Sequence, residues 1–424
     1  MTEAPHPAVE PPVRPAAGLP VHPAVGPTVN APLEPLADAT AEPPAPLPGT
    51  AELFTLDRES VHLNHGSYGA VPLPVQLLQE RLRAEQERDP DGFFADLPAR
   101  VGAARTALAA ELGTDPALLA LVANVTEAVA VALDSVPLAS GDRILVTDHG
   151  YGAVTEAVRR RAAEAGAEVD TVRLPLGLPD EAAVTEAVLA AVGGRTVLAV
   201  LDQITSPTAR RIAGPVLLTA LRERGVTTVV DGAHAPGMLA EPVEPAADFW
   251  FGNLHKWAFA PRATGVLAVR PEWAARVRPL ALSWEHHRGY PACVEWRGTC
   301  DYTPWLAAPA GFEVLRSFGA DRVRRHNERL AGYGQALLAE RLGLEPLPAT
   351  PGVSMRALRL PRGWGEEEVA APALMADVWR RHAVRTVVRP WPGGGVLRVS
   401  GQLYNRPRDY ERLATGLAEL LKER

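Results

Sequence analysis

The central part of the chain alternates between short apolar runs and longer segments with helical spacing. The apolar runs read RILVTD, EVDTVRL, RTVLAVLD, TTVVDGAH and TGVLAVR, in that order. Between them lie Ala-rich stretches such as GAVTEAVRRRAAEAG and PVLLTALRERG, which have the apolar spacing of helices. Strands that are apolar enough to be buried on both faces, alternating with helices, predict a parallel or mainly parallel sheet. The predicted fold class is therefore α/β, of the doubly wound type.

The segments on either side of this region differ from it in composition and in predicted structure. A Pro/Ala-rich tail over residues 1–50 is predicted to be disordered or polyproline-like, and an N-terminal arm follows over 51–75. We place a large domain at 76–275, an interdomain segment at 276–330 and a small C-terminal α+β domain at 331–424. Outside the alternating region, helices are predicted at 74–88, 98–112, 305–318, 321–342, 366–382 and 407–422.

Composition narrows the classes of function. The chain has 424 residues, of which 47% are hydrophobic and 22% charged, and its net charge is −7. A chain with this negative net charge lacks the excess of basic residues that is typical of nucleic-acid-binding proteins. No window approaches the run of about 18 apolar residues that a membrane span requires, and the N-terminus lacks the pattern of a signal peptide. We therefore predict a cytoplasmic protein that acts on small molecules, without nucleic-acid or membrane partners.

Polar residues that suit catalysis follow several of the predicted strands. In open α/β sheets ligands bind at the carboxyl ends of the strands, so these positions matter most. Each such Asp or His, taken alone, is equally well explained as a helix cap or a hydrogen-bonded polar residue. The set is Asp148, His149, Tyr151, Asp202, Gln203, Ser206, Asp231 and His234.

Lys256 indicates which cofactor these polar residues could bind. It lies among aromatic residues in DFWFGNLHKWAFAPRATG, and a lysine buried in such surroundings becomes a usable nucleophile. Pyridoxal 5'-phosphate requires a lysine for its aldehyde, a carboxylate for its pyridine nitrogen and a flat group over its ring. Asp231 suits the pyridine nitrogen and His234 the ring oxygen. Tyr151, rather than His149, is favoured for the ring face.

The cofactor phosphate also has a candidate site. Asn124, Val125 and Thr126 stand at the start of an apolar helix, where amide groups and the helix dipole bind anions. By itself this signal is weak, because Asn or Thr before a helix is usually a cap. His255, next to the lysine, is a candidate for a second phosphate contact.

Several motifs together resemble those of class V pyridoxal-phosphate enzymes, most closely the isopenicillin N epimerase-like subgroup. They are LNHGSYGAVP, NVTEAV, TDHGYGAV, ITSPTARRI, VVDGAHAPG, FWFGNLHKW, WRGTCDYTPW and LRVSGQLYN, and they extend from Val61 to the C-terminus. The resemblance implies fold type I, with a mainly parallel seven-stranded sheet in the large domain and a small C-terminal domain. It also implies a homodimer with active sites at the interface, in which residues 276–330 take part.

The resemblance assigns roles residue by residue. It gives Lys256 the Schiff base, Asp231 the pyridine nitrogen and His234 the ring oxygen. Val125, Thr126 and His255 take the phosphate, to which Thr299 reaches from the neighbouring subunit. Arg398 clamps the substrate α-carboxylate, which suits the two parallel hydrogen bonds of a guanidinium. The N-terminal loop brings two further candidates towards the substrate, His65 and Tyr68.

The reaction stays open at this point. Removal of the α-proton by Lys256 leads to epimerisation, to loss of a β-substituent in a C–S lyase, or to transamination, depending on the next step. The resemblance favours the first two equally over the third. A cysteine desulfurase is disfavoured, because Cys293 and Cys300 do not lie on a later Gly-rich loop. A metal hydrolase is also disfavoured, since no metal-binding motif such as H-E-x-x-H is present and Lys256 would be unexplained.

Overall fold

Strands and helices alternate through much of the chain. The structure is a computed structural model, and it describes residues 43–50, 52–178 and 180–423. The strands are β1 Val61–His62, β2 Leu119–Val122, β3 Arg143–Thr147, β4 Glu168–Val172, β5 Thr196–Asp202, β6 Thr227–Asp231, β7 Phe249–Asn253, β8 Gly265–Val269, β9 Glu345–Pro346, β10 Met355–Arg359, β11 Val384–Arg385, β12 Val387–Arg389 and β13 Val396–Ser400.

The helices fill the connections between these strands. They are α1 His65–Tyr68, α2 Leu73–Arg88, α3 Pro90–Leu112, α4 Val125–Ser135, α5 Gly152–Ala165, α6 Glu181–Ala190, α7 Pro215–Glu223, α8 Pro271–Ala274, α9 Ala292–Glu295, α10 Thr303–Ser317, α11 Ala320–Leu342, α12 Ala370–His382 and α13 Pro407–Lys422. Within the described ranges, none of the helices combines the length and the apolar character needed to cross a bilayer.

Seven strands form the central sheet in the order β2-β8-β7-β6-β5-β3-β4. β8 runs antiparallel to both of its neighbours, and every other pair is parallel. The predicted α/β fold with a mainly parallel seven-stranded sheet is therefore confirmed. Because the parallel strands end at one edge, the residues that follow β3, β5, β6 and β7 come together there.

Alternate side chains of each strand enter two different hydrophobic layers, as strand geometry requires. Leu201, Val230 and Trp250 pack into the layer that contains α3, α7 and α10, and their neighbours Val200 and Val229 pack into the layer that contains α4 and α5. The sheet is thus covered on both faces, which explains why its inner strands β5, β6 and β7 are apolar runs without a polar side.

The C-terminal part has a sheet of its own, in the antiparallel order β12-β13-β10-β9. One face packs Leu358 and Leu397 against the helices α11, α12 and α13. The other face packs Ala357 and Val396 with Leu176, which belongs to the segment after β4. This second face is therefore turned towards the large sheet.

Some boundaries differ from the prediction. The predicted tail over 1–50 lies mostly outside the described residues, but within 43–50 Leu47 is buried in the main core, so the ordered chain begins earlier than residue 51. α3 begins at Pro90 instead of residue 98, because Asp89 caps the amide of Gly92 and Pro90 takes the first helical position. The proposed domain limits stay predictions, and α11 runs across the limit at 330/331.

Candidate active site

Lys256 lies in the turn that joins β7 to β8, at the edge where the parallel strands end. Its side chain is only 8% exposed, and the adjacent Trp257 and nearby Phe259 are buried still more deeply. Burial lowers the pKa of Lys256 to about 7, although the nearby Asp231 carboxylate raises it in part. A large fraction of molecules therefore carries a neutral amine near pH 7, as a nucleophile or general base requires.

Two carboxyl groups meet beside this amine. Asp202 and Asp231, the last residues of β5 and β6, are direct partners in the parallel register, and both are buried. Burial raises the pKa of Asp231 to about 6, although the amide of Ala233 donates a 2.8 Å hydrogen bond to it. Burial and the charge of Asp231 raise the pKa of Asp202 well above its usual value. At neutral pH the pair therefore favours one negative charge, on Asp231, with the proton on Asp202.

The imidazole of His234 lies between Lys256 and Trp257. Its Nε2 atom lies 3.4 Å from Nζ of Lys256, and its Nδ1 atom accepts a 3.4 Å hydrogen bond from the indole of Trp257. Because an indole N–H can only donate, the proton of the neutral ring resides on Nε2, on the side of the amine. Burial, followed by the charge of Lys256, lowers the pKa of His234 well below its usual value, so the ring is neutral.

The predicted anion site at the start of α4 is capped by the chain itself. Asn124 Oδ1 accepts hydrogen bonds of 2.9 and 3.1 Å from the amides of Thr126 and Glu127. The amide of Val125 donates a 3.1 Å hydrogen bond to Asn253 Oδ1. What the helix start still offers a phosphate is its dipole and the exposed hydroxyl-bearing side chain of Thr126. Capping by Asn124 was the simpler explanation of this motif, and the hydrogen bonds agree with it.

His255 lies close to this helix start. Its Nδ1 atom is 3.2 Å from the carbonyl oxygen of Thr264. The next residue, Gly265, packs tightly on the helix start, because a Cβ atom added to Gly265 would lie 2.9 Å from the Cα atom of Asn124. Burial lowers the pKa of His255 to about 4, so the ring is neutral and Nδ1 donates to the carbonyl. The Nε2 atom is then the ring nitrogen left for a ligand beside α4.

The two candidates for the ring face differ in how they are held. Both nitrogens of the buried His149 ring are engaged, with Thr208 Oγ1 at 2.7 Å and the Leu174 carbonyl oxygen at 2.8 Å. Tyr151, at the start of α5, is half-buried, and its backbone amide donates to Asp202. His149 is thus held as a structural residue, and Tyr151 stays the better candidate.

Arg398 is a buried cation surrounded by neutral oxygens. Its side chain is 1% exposed. Nη1 donates to the carbonyl oxygen of Ser206 at 2.5 Å and to its Oγ at 3.1 Å, and Nη2 donates to Asn64 Oδ1 at 3.0 Å. Nε is buried without a hydrogen-bond partner in the described part of the chain, and no carboxylate there forms an ion pair with this guanidinium. Burial lowers the pKa of Arg398 to about 9. A ligand carboxylate would supply the missing charge.

His65 is held on both sides by the protein. Its Nδ1 atom lies 2.9 Å from the hydroxyl of Tyr404, and its Nε2 atom lies 2.9 Å from the carbonyl oxygen of Lys256 and 3.1 Å from the side-chain nitrogen of Gln402. Burial lowers the pKa of His65 to about 3. This geometry favours a positioning residue for the lysine turn over the predicted contact with substrate.

The remaining predicted residues lie nearer the surface. Tyr68, at the end of α1, is 72% exposed, and Thr299 is exposed in the loop after α9. The role of Thr299 requires a neighbouring subunit, so both assignments stay predictions. The sequence indicates Asp202 and Ser206 by their places after a strand, but it gives them no role. It does not indicate three further residues that the fold brings to the site, although each belongs to one of the motifs: Asn64, Asn253 and Gln402.

A metal centre receives no support from the side chains. In the ranges that the structure describes, no group of three or more His, Cys, Asp or Glu residues is placed to hold a metal ion. The carboxyl groups, imidazoles and amine instead fit pyridoxal phosphate, because they combine a partly neutral lysine, a charged Asp231, a neutral His234 and an unpaired Arg398.

Comparisons with known proteins identify the family of the chain. Residues 80–354 match the family described as Aminotransferase class-V. The chain is 36% identical over 396 residues to an isopenicillin N epimerase of Amycolatopsis lactamdurans, an alignment that covers 88% of this chain and 98% of that protein. It is 31% identical over 402 residues to a putative L-cysteine desulfhydrase of Oryza sativa subsp. japonica, covering 85% and 83% of the two chains.

A solved structure supports the fold. A cystine C–S lyase in complex with its product, cysteine persulfide, has 17% sequence identity and a TM-score of 0.74, and the match covers 85% of this chain and 98% of that chain. The match to the class V aminotransferase family and the identity to enzymes of that family confirm the predicted cofactor, pyridoxal 5'-phosphate, and the predicted enzyme class. The chain belongs to the class V aminotransferase family of pyridoxal-phosphate-dependent enzymes, in its isopenicillin N epimerase-like subgroup.

Proposed function

We propose that the protein is an epimerase-type enzyme that acts at the α-carbon of an amino-acid substrate through Lys256. The observation that carries this proposal is the placement of a buried, partly neutral Lys256 next to His234 and Asp231, with the unpaired Arg398 close enough to lower the pKa of the lysine. The 36% identity to an isopenicillin N epimerase supports epimerisation as the reaction.

The residues around Lys256 have distinct tasks in this proposal. Pyridoxal phosphate, when bound, supplies an aldehyde for the substrate amine and a ring that withdraws electrons from the α-carbon. Asp231 holds a negative charge for the pyridine nitrogen, and neutral His234 offers Nε2–H to the ring oxygen. Tyr151 covers the ring face. The phosphate is held at the start of α4 by the helix dipole and the hydroxyl of Thr126, by His255 and, from a second subunit, by Thr299. Asn124 and Val125 take part through the backbone of that helix start, since the Asn124 side chain and the Val125 amide are used within the chain.

Proton transfer is the task of Lys256. With a pKa of about 7, its amine accepts the α-proton from one face of the α-carbon at physiological pH. Arg398 holds the substrate α-carboxylate through two parallel hydrogen bonds, which fixes the orientation of the α-carbon. Epimerisation also requires a proton donor on the opposite side of that carbon, and the exposed hydroxyl of Tyr68 is the candidate.

A C–S lyase is the second candidate, supported by the 31% identity to a putative L-cysteine desulfhydrase. The same α-proton removal would then expel a sulfur leaving group from the β-carbon. A cysteine desulfurase is less favoured, because Cys293 is buried and burial raises the pKa of its thiol. An aminotransferase is less favoured as well, since the two similar proteins described above are an isopenicillin N epimerase and a putative L-cysteine desulfhydrase.

Assembly as a homodimer belongs to this proposal, because Thr299 requires a neighbouring subunit. The segment before α9 exposes three large apolar side chains, which are typical of an interface: Leu280, Leu282 and Trp284. Localisation in the cytoplasm stays a prediction made from the sequence.

The two lysines of the chain make the first experiment unusually direct. They are Lys256 and Lys422, the latter at the end of α13. Borohydride should fix the cofactor to the protein, and peptide mass spectrometry should place it on Lys256. We expect Lys256→Ala to lose the visible cofactor band and to lose activity by roughly 10²-fold or more. Lys422→Ala is the matched control and should keep both. Cofactor attached to Lys422 would contradict the proposal.

The reaction itself is tested in deuterated water with a panel of amino acids. Epimerisation gives α-deuterated product with loss of chirality, whereas the lyase reaction gives pyruvate together with a released thiol or sulfide. Transamination gives the amine form of the cofactor. Release of sulfide from cysteine without racemisation would favour the second candidate over the first.

A further inference from the structure

Glu127 lies in the first turn of α4, where the cofactor phosphate is expected. Its amide donates a 3.1 Å hydrogen bond to Asn124 Oδ1, and its Oε2 atom accepts a 2.6 Å hydrogen bond from the amide of Ala123. The Glu127 side chain thus folds back to the residue before the N-cap and closes the turn that contains Thr126. A carboxylate beside an expected phosphate repels it unless a cation neutralises that carboxylate.

Arg297 is the cation that neutralises Glu127. Its Nη1 atom lies 2.8 Å from each carboxylate oxygen of Glu127. The two side chains are 30% and 13% exposed, so the pair is screened less and held more firmly than an ion pair on the surface. The guanidinium carbon also lies 5.2 Å from the centre of the Trp305 ring. Arg297 is therefore fixed between the start of α4 and α10.

Arg297 also begins the loop that carries Thr299. Its backbone amide donates a 3.3 Å hydrogen bond to the hydroxyl of Tyr302, and that hydroxyl donates a 2.8 Å hydrogen bond to the carbonyl oxygen of Gly298. The buried Tyr302 thus holds the loop just before Thr299, whose side chain is exposed. One side chain, that of Arg297, therefore connects the phosphate end of α4 with the loop that presents Thr299.

We propose that the ion pair of Arg297 with Glu127 couples the two cofactor sites of a dimer, so that cofactor bound at one site favours binding at the other. This inference rests on the proposed function, in which Thr126 binds the phosphate of its own subunit and Thr299 that of the neighbouring subunit. A phosphate at α4 orders the turn around Glu127, and Arg297 extends that order to the loop of Thr299. The entropy of ordering is lost when the first cofactor binds, so the second binds more tightly.

Cofactor titration of the apoprotein tests the coupling through the visible absorbance. For the wild type we expect a Hill coefficient above one, with the number of sites as its upper limit. Arg297→Met removes the charge and should weaken binding roughly 10-fold while the Hill coefficient falls to one. Arg83→Met is the matched control, because it breaks the exposed ion pair with Asp301, two residues after Thr299. It should keep both the affinity and the cooperativity.

Mixed dimers with one wild-type and one variant subunit distinguish coupling from a general loss of stability. In a mixed dimer, Thr126→Val should speed cofactor release from one site only, which gives two phases of release. Arg297→Met should speed release from both sites, since it affects α4 in its own subunit and the Thr299 loop that serves the other. Faster release from a single site in the Arg297→Met dimer would overturn the inference.

Hydrogen exchange of the apoprotein measures the ion pair without the cofactor. Arg297→Met should speed exchange in the peptide that covers 123–127, and Arg83→Met should leave that exchange unchanged. Equal effects of the two variants would contradict the role of Arg297. A wild type without a visible cofactor band would overturn the proposed function together with the coupling, whereas a wild type that binds cofactor with a Hill coefficient of one would overturn the coupling alone.

Discussion

Asp202 lies directly opposite Asp231 where β5 and β6 end in parallel register. Both carboxyl groups are buried, and the charge of Asp231 adds to burial in raising the pKa of Asp202. The pair therefore carries one negative charge at neutral pH. The residue that holds this charge is the one that can pair with the pyridine nitrogen of the cofactor.

Replacing each carboxyl group by an amide separates their roles. Asp202→Asn resembles the protonated state, so we expect activity and the cofactor spectrum at pH 7 to change little. Asp231→Asn removes the charge that stabilises the pyridinium, and activity should fall by roughly 10²- to 10³-fold. Steady-state kinetics and visible absorbance measure both. Equal losses in the two variants would contradict the assignment of the charge to Asp231.

The pKa of Lys256 sets the rate at which apoprotein takes up the cofactor. Only the neutral amine reacts with the aldehyde, and with a pKa of about 7 the neutral fraction grows as pH rises through 7. Below pH 7 we expect the rate to increase by about tenfold per pH unit, and above pH 8 to level off. Stopped-flow absorbance between pH 5 and 9 measures the profile. An increase that continues towards pH 10 would show an ordinary lysine pKa.

Arg398 should control substrate affinity without controlling cofactor content. Arg398→Ala removes the carboxylate receptor, so we expect KM for amino acids to rise roughly 10- to 100-fold. The visible cofactor band should be retained, since Lys256, Asp231 and His234 are untouched. Arg398→Lys keeps the charge and loses the paired hydrogen bonds, and it should restore affinity only in part. Loss of the band in both variants would show that Arg398 supports the cofactor instead.

Gly69 allows the N-terminal arm to pass close to the lysine turn. Its φ of 68° and ψ of 173° are open almost only to glycine, and a Cβ atom there would overlap the carbonyl oxygen of His255. Gly69→Ala should lower the free energy of unfolding by about 3 kcal/mol or more and weaken cofactor binding.

Gly113→Ala is the matched control for that variant. Gly113 also has a positive φ, of 70°, but a Cβ atom there would meet nothing within 4 Å. We expect a loss of only about 1–2 kcal/mol, from the backbone conformation alone, and unchanged cofactor binding. Chemical denaturation and cofactor titration of the two variants separate overlap with His255 from backbone strain. Similar behaviour of both would exclude a tight contact at Gly69.

Much of the fold can be predicted from the sequence, because a strand that is buried on both faces appears in the sequence as a short run of apolar residues. The runs that became β3, β5 and β6 are apolar on both sides, and the residues after them, such as Asp231 and His234, were placed at one edge by a general property of parallel sheets. Lys256 stood out because aromatic residues surround it. These inferences need only local pattern and known topology.

Other features depend on contacts between distant segments, which a local pattern does not contain. The pairing of Asp202 with Asp231 requires the strand order, and the hydrogen bonds of Arg398 with Ser206 require contact between β13 and the segment after β5. The sequence predicts that His65 contacts the substrate because its motif lies in the N-terminal loop, whereas its ring is hydrogen-bonded on both sides within the protein. Leu47 belongs to a Pro/Ala-rich stretch, yet it packs in the core.

The hydrogen bonds of His65 also make the catalytic turn a late product of folding. One ring joins the carbonyl group of Lys256, 191 residues further along the chain, to the hydroxyl of Tyr404, 339 residues away. Contacts of such sequence separation form only after both ends of the polypeptide have come together. A nascent or C-terminally truncated chain should therefore contain Lys256 without binding the cofactor firmly, and appearance of the yellow colour during refolding should report that the N-terminal arm and the C-terminal domain have docked.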